Sequence, residues 1–424
     1  MNILEEKGIN KEKLEEMLSR HISKDIVIAD YKVKLFKEGV KHNIYKIPIT
    51  YMHRKNDSAN NILFIAKISK EIKEYYYGED HENNRTIYEI MHGSAVAEFI
   101  EQNEYIVKFI GINQQRDLFL MEYAGENSLE KKLKETYDKG QIRNLDNVSL
   151  IWQVINALVN THYDLNRLKI GGIPPLQQQH TNKLHNYIKS ILEAKGKTIT
   201  ESLSDQIKED FKPIDYHLTR GTLDYKPVEL SIIHSDLHPA HIFIDPLKII
   251  DFKVTAGPPQ FDLVDLLEHP LTYRVFENPR NEINNILSTY LHKMKILQLK
   301  TLIGEDAKKV MKNGEIEELP RDFLDIYYLS AFYRGIRIAA KSFHLEQKYP
   351  KLYEKLVEEN PLYRGYRDWY LSHLKDLFNI MVNEYSLNKK LGKENMNKFK
   401  HLYNILADNI EEINSGINTT LIQV

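Results

Sequence analysis

Two aspartates and a group of histidines between residues 232 and 252 are the side chains best suited to chemistry. The run is Ile232-Ile233-His234-Ser235-Asp236-Leu237-His238-Pro239-Ala240-His241-Ile242-Phe243-Ile244-Asp245, followed by Lys248-Ile249-Ile250-Asp251-Phe252. Apolar segments flank a polar stretch, so the pattern predicts a loop between short strands, with Asp251 at the end of a β-hairpin. A loop carboxylate such as Asp236 can accept or orient the proton of an attacking hydroxyl. A strand-end carboxylate such as Asp251 can hold a divalent cation. Taken alone, each has a plainer role: a loop Asp often makes a turn hydrogen bond, and a strand-end Asp is often only solvated. His234, Asp236, His238 and His241 can also be read as a metal cluster of phosphoesterase type. Such a site needs further ligands on separate strands, and no second segment offers an Asn-His pair in convincing context. Neighbours along one loop also rarely all face one ion.

The elements that must position these groups are legible from periodicity. Residues 1–30 are charged and read as a helical extension, helix-like from Lys11 to His21. Short β-branched runs follow: Tyr31–Phe36, Ile44–Thr50, Ile62–Ile68, Ile106–Ile112 and Leu118–Tyr123, with one helical stretch at roughly 85–102. From Leu129 helical spacing dominates. Within 148–163, Ile151, Val154, Ile155, Leu158 and Val159 recur at threes and fours, the mark of a helix with one apolar face. Residues of about 166–229 form a polar, mostly helical insertion, and a helical tail runs from about 270 towards the end. Tyr333-Arg334-Gly335-Ile336-Arg337 and Tyr363-Arg364-Gly365-Tyr366-Arg367 lie 30 positions apart. Two copies do not make a repeat architecture.

Composition narrows the class. The 424 residues leave room for two or three lobes and a sizeable core. Lys and Arg total 58 against 60 Asp and Glu, so nothing global points to nucleic acid. Cysteine is absent, which excludes disulfides, thiolate zinc sites and cysteine nucleophiles. No signal-type apolar core opens the chain, and no apolar run approaches the ~20 residues of a membrane span. The expectation is a cytoplasmic protein with neither nucleic acid nor membrane as partner.

The motif resembles that of the aminoglycoside phosphotransferase and choline kinase family, small-molecule kinases with a protein-kinase-like fold. That family's pattern is His-x-Asp-x-x-x-x-Asn, two short strands, then Ile-Asp-Phe; this chain has His241 at the Asn position. The resemblance covers about residues 31 to 270. It implies an α+β bilobal fold: a small antiparallel β lobe with one helix over 31–124, and a large, mainly helical lobe over 125–424 that includes the insertion. It also implies ATP, with GTP as an alternative, and Mg2+ as cofactors. Asp236 is then the catalytic base, Asp251 the main metal ligand and His241 a second ligand. Imidazole is a poorer magnesium ligand than an amide oxygen, so His241 at this place implies a changed metal preference at the second site. His234 and Asp262 are implied as braces of the loop. Lys67 closes Phe64-Ile65-Ala66-Lys67, which is similar to the kinase Val-Ala-Ile-Lys, and would neutralise the α and β phosphates. Its carboxylate partner would be Glu89 or Glu98. Leu120-Met121-Glu122-Tyr123-Ala124 resembles a kinase hinge, with Met121 as gatekeeper and the backbone of Glu122 and Ala124 meeting adenine. The phosphate loop Glu38-Gly39-Val40-Lys41-His42-Asn43 keeps only Gly39. Lys253 stands where the family often has Gly.

The kind of kinase follows from a count. Asp251 to Asp262 is 11 residues; an activation segment of protein-kinase type needs roughly three times that room. The expected acceptor is therefore a hydroxyl on a small molecule: an aminoglycoside, amino alcohol, sugar or sugar phosphate. Arg334, Arg337, Lys341 and His344 make one cationic helical face, suited to an anionic acceptor or simply solvated. Glu126 and Asp322 or Asp325 would instead suit a cationic one. A nucleotide-binding pseudokinase or scaffold is the alternative function. His241, Lys253 and the single-Gly loop permit it, and the retention of Lys67, Asp236 and Asp251 opposes it.

Overall fold

The structure, a computed structural model, describes residues 2–38, 42–54, 56–69, 103–115, 117–166, 231–252, 255–301, 321–359 and 362–383, with scattered positions at 189–210, 222–227 and 394–401. Gly39, Glu89, Glu98 and Lys253 lie outside the described residues, as does the helical stretch at 85–102. The architecture is α+β: an antiparallel sheet with a mainly helical remainder. Two compact units divide the chain, Met1–Ser128 with His241–Asp251, and Leu129–Ala240 with Phe252–Val424. The hairpin that leads to Asp251 thus belongs to the first unit, far from it in sequence.

In the first unit, α1 (Ile3–Glu6) and α2 (Lys11–Ser19) precede β1 (Ile26–Tyr31), β2 (Lys34–Glu38), β3 (His42–His53), β4 (Asn56–Ser69), β5 (Phe109–Ile112) and β6 (Leu118–Glu122). Asn2 and Asn10 start the helices by accepting from the backbone N–H of Glu5 and Lys13. The sheet runs β1-β3-β4-β6-β5, with β2 on the other half of β3, and all its pairings are antiparallel. Period-2 patterning makes β3 a strand: Ile47 and Ile49 are buried while Pro48 between them is exposed. The N-terminal segment is no free extension. Leu4, Ile9, Leu14, Met17 and Leu18 share a core with Ile26, Ile28, Ile47, Phe64 and Leu120, each burial worth roughly 1.5–3 kcal/mol. Gly111 admits Met17, whose sulfur would lie 3.0 Å from a Cβ there. Residues 26–30, read as part of the extension, form most of β1, because Ile26 and Ile28 alternate into that core.

The second unit holds α3 (Leu129–Asp138), α4 (Leu145–Asn166), a small pair β7 (Thr222–Leu223) and β8 (Lys226–Pro227), and β9 (Ser231–Ile233). The hairpin β10 (Ile242–Ile244) and β11 (Leu247–Ile249) returns the chain to the first unit. The second unit then resumes with β12 (Thr255–Gly257), α5 (Gln260–Leu267), α6 (Pro270–Val275), α7 (Pro279–Thr301), α8 (Arg321–Lys348), α9 (Pro350–Glu359) and α10 (Leu362–Asn383). On α4, Ile151, Val154, Ile155, Leu158 and Val159 are all buried, as their spacing predicts. Every residue of α5 is buried, which makes it the axis of the unit. α8 packs on both α5 and α10. Among the described residues no helix is long and apolar enough to cross a membrane.

Candidate functional site

Lys67 and Asp251, 184 residues apart in sequence, meet: the Lys67 Nζ lies 2.8 Å from both carboxylate oxygens. Lys67 sits on β4, an interior strand, opposite Ile44 of β3 and Phe119 of β6. Asp251 follows the hairpin in a left-handed backbone conformation, φ 55°. A non-glycine residue there costs about 1–3 kcal/mol and persists only where its surroundings fix it. His241, at the other end of the hairpin, places Nε2 3.7 Å from Asp251 Oδ2, and the Ile250 N–H donates to its carbonyl oxygen.

The hairpin is fastened to the end of the sheet. The Ile249 N–H donates to Tyr105 O at 2.6 Å, and the Val107 N–H donates to Ile249 O at 2.9 Å. Ile244 N–H donates to Asn127 O, and Ser128 bridges to Phe243. Lys248 pairs with Glu122 at 3.2 Å, and the other Glu122 oxygen accepts from Lys108 N–H. The end of β6, with Met121 and Glu122, and the strap after it, with Ala124, thus carry the expected hinge residues and also anchor the hairpin that ends at Asp251. β6 lies between β4 and β5, so it is not an edge strand. Gly125, at φ +127°, comes so close that a Cβ would sit 2.7 Å from Asp245 O. Gly125→Ala is expected to lower the unfolding midpoint, at a cost of about 1–3 kcal/mol. Thermal melts of the variant and the wild type check it.

Asp236 lies in the second unit, in a loop held by its backbone. Asp262, fully buried at the start of α5, accepts from His234 N–H at 2.7 Å and from Ser235 N–H at 2.8 Å. Asp265, one helical turn on, accepts from Leu237 N–H at 2.9 Å. Ser235 is left-handed at φ 65°, and its hydroxyl meets Thr255 Oγ1 at 3.2 Å. His234 is buried with its ring edge against Phe252, and its Nδ1 accepts from Asp236 N–H at 3.3 Å. It braces the loop, the role its place in the motif implies.

Three supports of the loop were not read as such from sequence: His162 was not singled out, and Arg334 and Arg337 were read only as part of a cationic face. His162 of α4 bridges Asp262 (3.0 Å) and the Tyr290 hydroxyl (2.7 Å). Asp265 forms an ion pair with Arg334 of α8. Arg337, one turn further along α8, reaches Asp236 at 3.8 Å. Arg334 is therefore a buried guanidinium, not part of a solvated or acceptor-facing stripe, and only Lys341 of that set is exposed. Burial lowers the Arg334 pKa, opposed by the Tyr370 hydroxyl. Of the residues suited to a cationic acceptor, Asp325 is fully buried and Glu126 is paired with Lys46; the Asp322 side chain is outside the described residues.

No protein-family model and no curated protein matches the sequence. Among solved structures, the chain is similar to a choline/ethanolamine kinase family protein from Mesorhizobium loti, with TM-score 0.44 and 11% identity over 84% of this chain and 90% of that one. It is similar to an ethanolamine kinase from Plasmodium vivax, with TM-score 0.41 and 10% identity over 85% of this chain and 87% of that one.

Proposed function

We propose that this chain is a phosphotransferase that moves the γ-phosphoryl group of ATP, or of GTP, to a hydroxyl of a small molecule. The observation that carries the proposal is the Lys67–Asp251 pair. An ammonium and a carboxylate brought together from a central strand and a distant hairpin are the two charges that phosphoryl transfer requires, one for phosphate oxygens and one for their cation. Asp236 is the proposed base, in a loop whose backbone is fixed from behind. Met121, Glu122, Ala124 and Gly39 are proposed for the nucleotide.

A divalent cation fits Asp251, whose carboxylate is a hard oxygen donor. His241, 3.7 Å away, adds a nitrogen donor that suits Mn2+ better than Mg2+. When bound, the cation would supply neutralisation of phosphate charge. The protein's own part is to hold Asp251 at the hairpin end and to offer the Lys67 ammonium to phosphate oxygens.

ATP with Mg2+ is expected to raise the unfolding midpoint of the wild-type protein, by an amount equivalent to about 2.7 kcal/mol at a hundredfold excess over Kd. The shift should disappear in Asp251→Ala and shrink in Lys67→Met. A shift that survives both changes would sink the assignment of nucleotide to this pair. Offering aminoglycosides, choline, sugars, sugar phosphates, nucleosides and hydroxy acids should then reveal acceptor-dependent ADP release. Binding without release from any of them would favour a nucleotide-binding scaffold.

A further inference from the structure

We infer that Arg337 is a positioning residue for Asp236, and that α8 sets the geometry of the proposed base. This rests on the phosphotransferase reading above. Asp262 and Asp265 fix the backbone on either side of Asp236, but their three bonds go to the N–H groups of residues 234, 235 and 237. None of these bonds reaches the Asp236 carboxylate. Arg337 does: Nη2 lies 3.8 Å from Oδ1, between side chains that are 12% and 29% exposed. The guanidinium is itself held, with its carbon 5.7 Å from the centre of the Phe261 ring, next to Asp262 in sequence.

The arrangement is two-armed. Arg334 and Arg337 are three residues apart on α8 and so share one face of the helix. The first guanidinium pairs with Asp265, the carboxylate that accepts from Leu237 N–H; the second faces the carboxylate of Asp236 at ion-pair distance. One helix therefore acts on both the backbone and the side chain of the loop. Rotation of Asp236 about its side-chain torsions would break the second pairing. A lysine could keep the charge but not the planar fork or its place over the ring.

The experiment is a double-mutant cycle on the full chain, with ATP and Mg2+ as the probe, water as acceptor, and ADP release as the rate. Arg337→Met is expected to lower kcat about 100-fold, the usual scale for a misplaced catalytic group, with KM for ATP unchanged. Arg337→Lys should recover part of the loss, and methylguanidinium should partly restore Arg337→Gly. In an Asp236→Asn background, Arg337→Met should add nothing further. Melting midpoints in the same cycle should show coupling between the two positions whatever the turnover. Wild-type kcat in Arg337→Met would overturn the inference. So would losses that multiply in the double variant, or absence of coupling in the melts. Failure of the parent reading looks different: wild-type protein would release no ADP and show no ATP-induced shift, and the inference would fall with it while the coupling in the melts remained.

Discussion

Asp236→Asn is expected to lower turnover by about 10²–10⁴-fold, the range set by loss of a general base, while leaving nucleotide affinity near that of the wild type. Asn keeps the shape of the side chain and all the backbone bonds of the loop. What it removes is the negative charge proposed to accept a proton, which is also the charge that Arg337 faces at 3.8 Å. Lys67 and Asp251 belong to the other unit and keep their pairing. The loss should therefore fall on kcat, with the dissociation constant for ATP unmoved. A control separates chemistry from scaffold. Asp262→Asn turns one of two buried accepting oxygens into an NH2 group that faces either Ser235 N–H or His234 N–H with His162, so its turnover and melting midpoint should fall together. Asp236→Asn gives up only the Arg337 pair, so its midpoint should fall far less than that of Asp262→Asn. ADP-release kinetics and an ATP titration on both variants decide the matter. Wild-type turnover in Asp236→Asn would remove it from the role of base.

What could be read from the chain and what could not divides along sequence distance. The polar loop, the hairpin Ile242–Ile249 and the apolar stripe of α4 follow from local periodicity and were legible. The helical face around Phe332–His344 was legible as a helix, but its meaning was not. Arg334 and Arg337 have the spacing of a solvated stripe, and only packing against α5 turns one into the buried partner of Asp265 and the other into a neighbour of Asp236. His162 is a single imidazole on an apolar helix, and nothing nearby in sequence announces that it bridges Asp262 and Tyr290. The left-handed backbone at Ser235 and Asp251 is equally silent, since neither is a glycine. β1 was missed because Ile26-Val27-Ile28 is short and adjoins a helical pattern; its partner Tyr51–His53 is what makes it a strand. Lys67 was singled out from its strand context and Asp251 from the motif, but their pairing across 184 residues was not read; the carboxylate expected beside Lys67 was Glu89 or Glu98.

Glu268→Ala is expected to be the most destabilising single change in the second unit, costing about 3–5 kcal/mol, the scale for breaking a buried ion pair. Glu268 is almost completely buried. It accepts from Arg280 at 2.9 Å and from the Tyr327 hydroxyl at 2.9 Å, and contacts His373 Nε2 at 2.6 Å. Burial alone would raise its pKa, but Arg280 and His373 outweigh it and hold the carboxyl down at about 2. The change to Ala leaves a mostly buried guanidinium, an imidazole and a phenol without their common acceptor. Glu268→Gln keeps an acceptor oxygen and should lose less. The pH dependence carries the sign. A carboxylate held low when folded stabilises the protein above its unfolded value near 4.5, and that contribution is lost as pH falls towards 2. His269, next in sequence, acts over a different window. Burial keeps it neutral with its pKa pushed down to about 3, so stability also falls with acid from about 6.5, where the unfolded imidazole takes up its proton. Denaturant melts of wild type and Glu268→Ala across pH 3 to 7 should therefore run parallel above pH 4.5, sharing the decline due to His269, and converge below it. The wild type should lose its advantage as the pH drops. An advantage that stays constant down to pH 3 would mean that Glu268 stabilises through packing rather than charge.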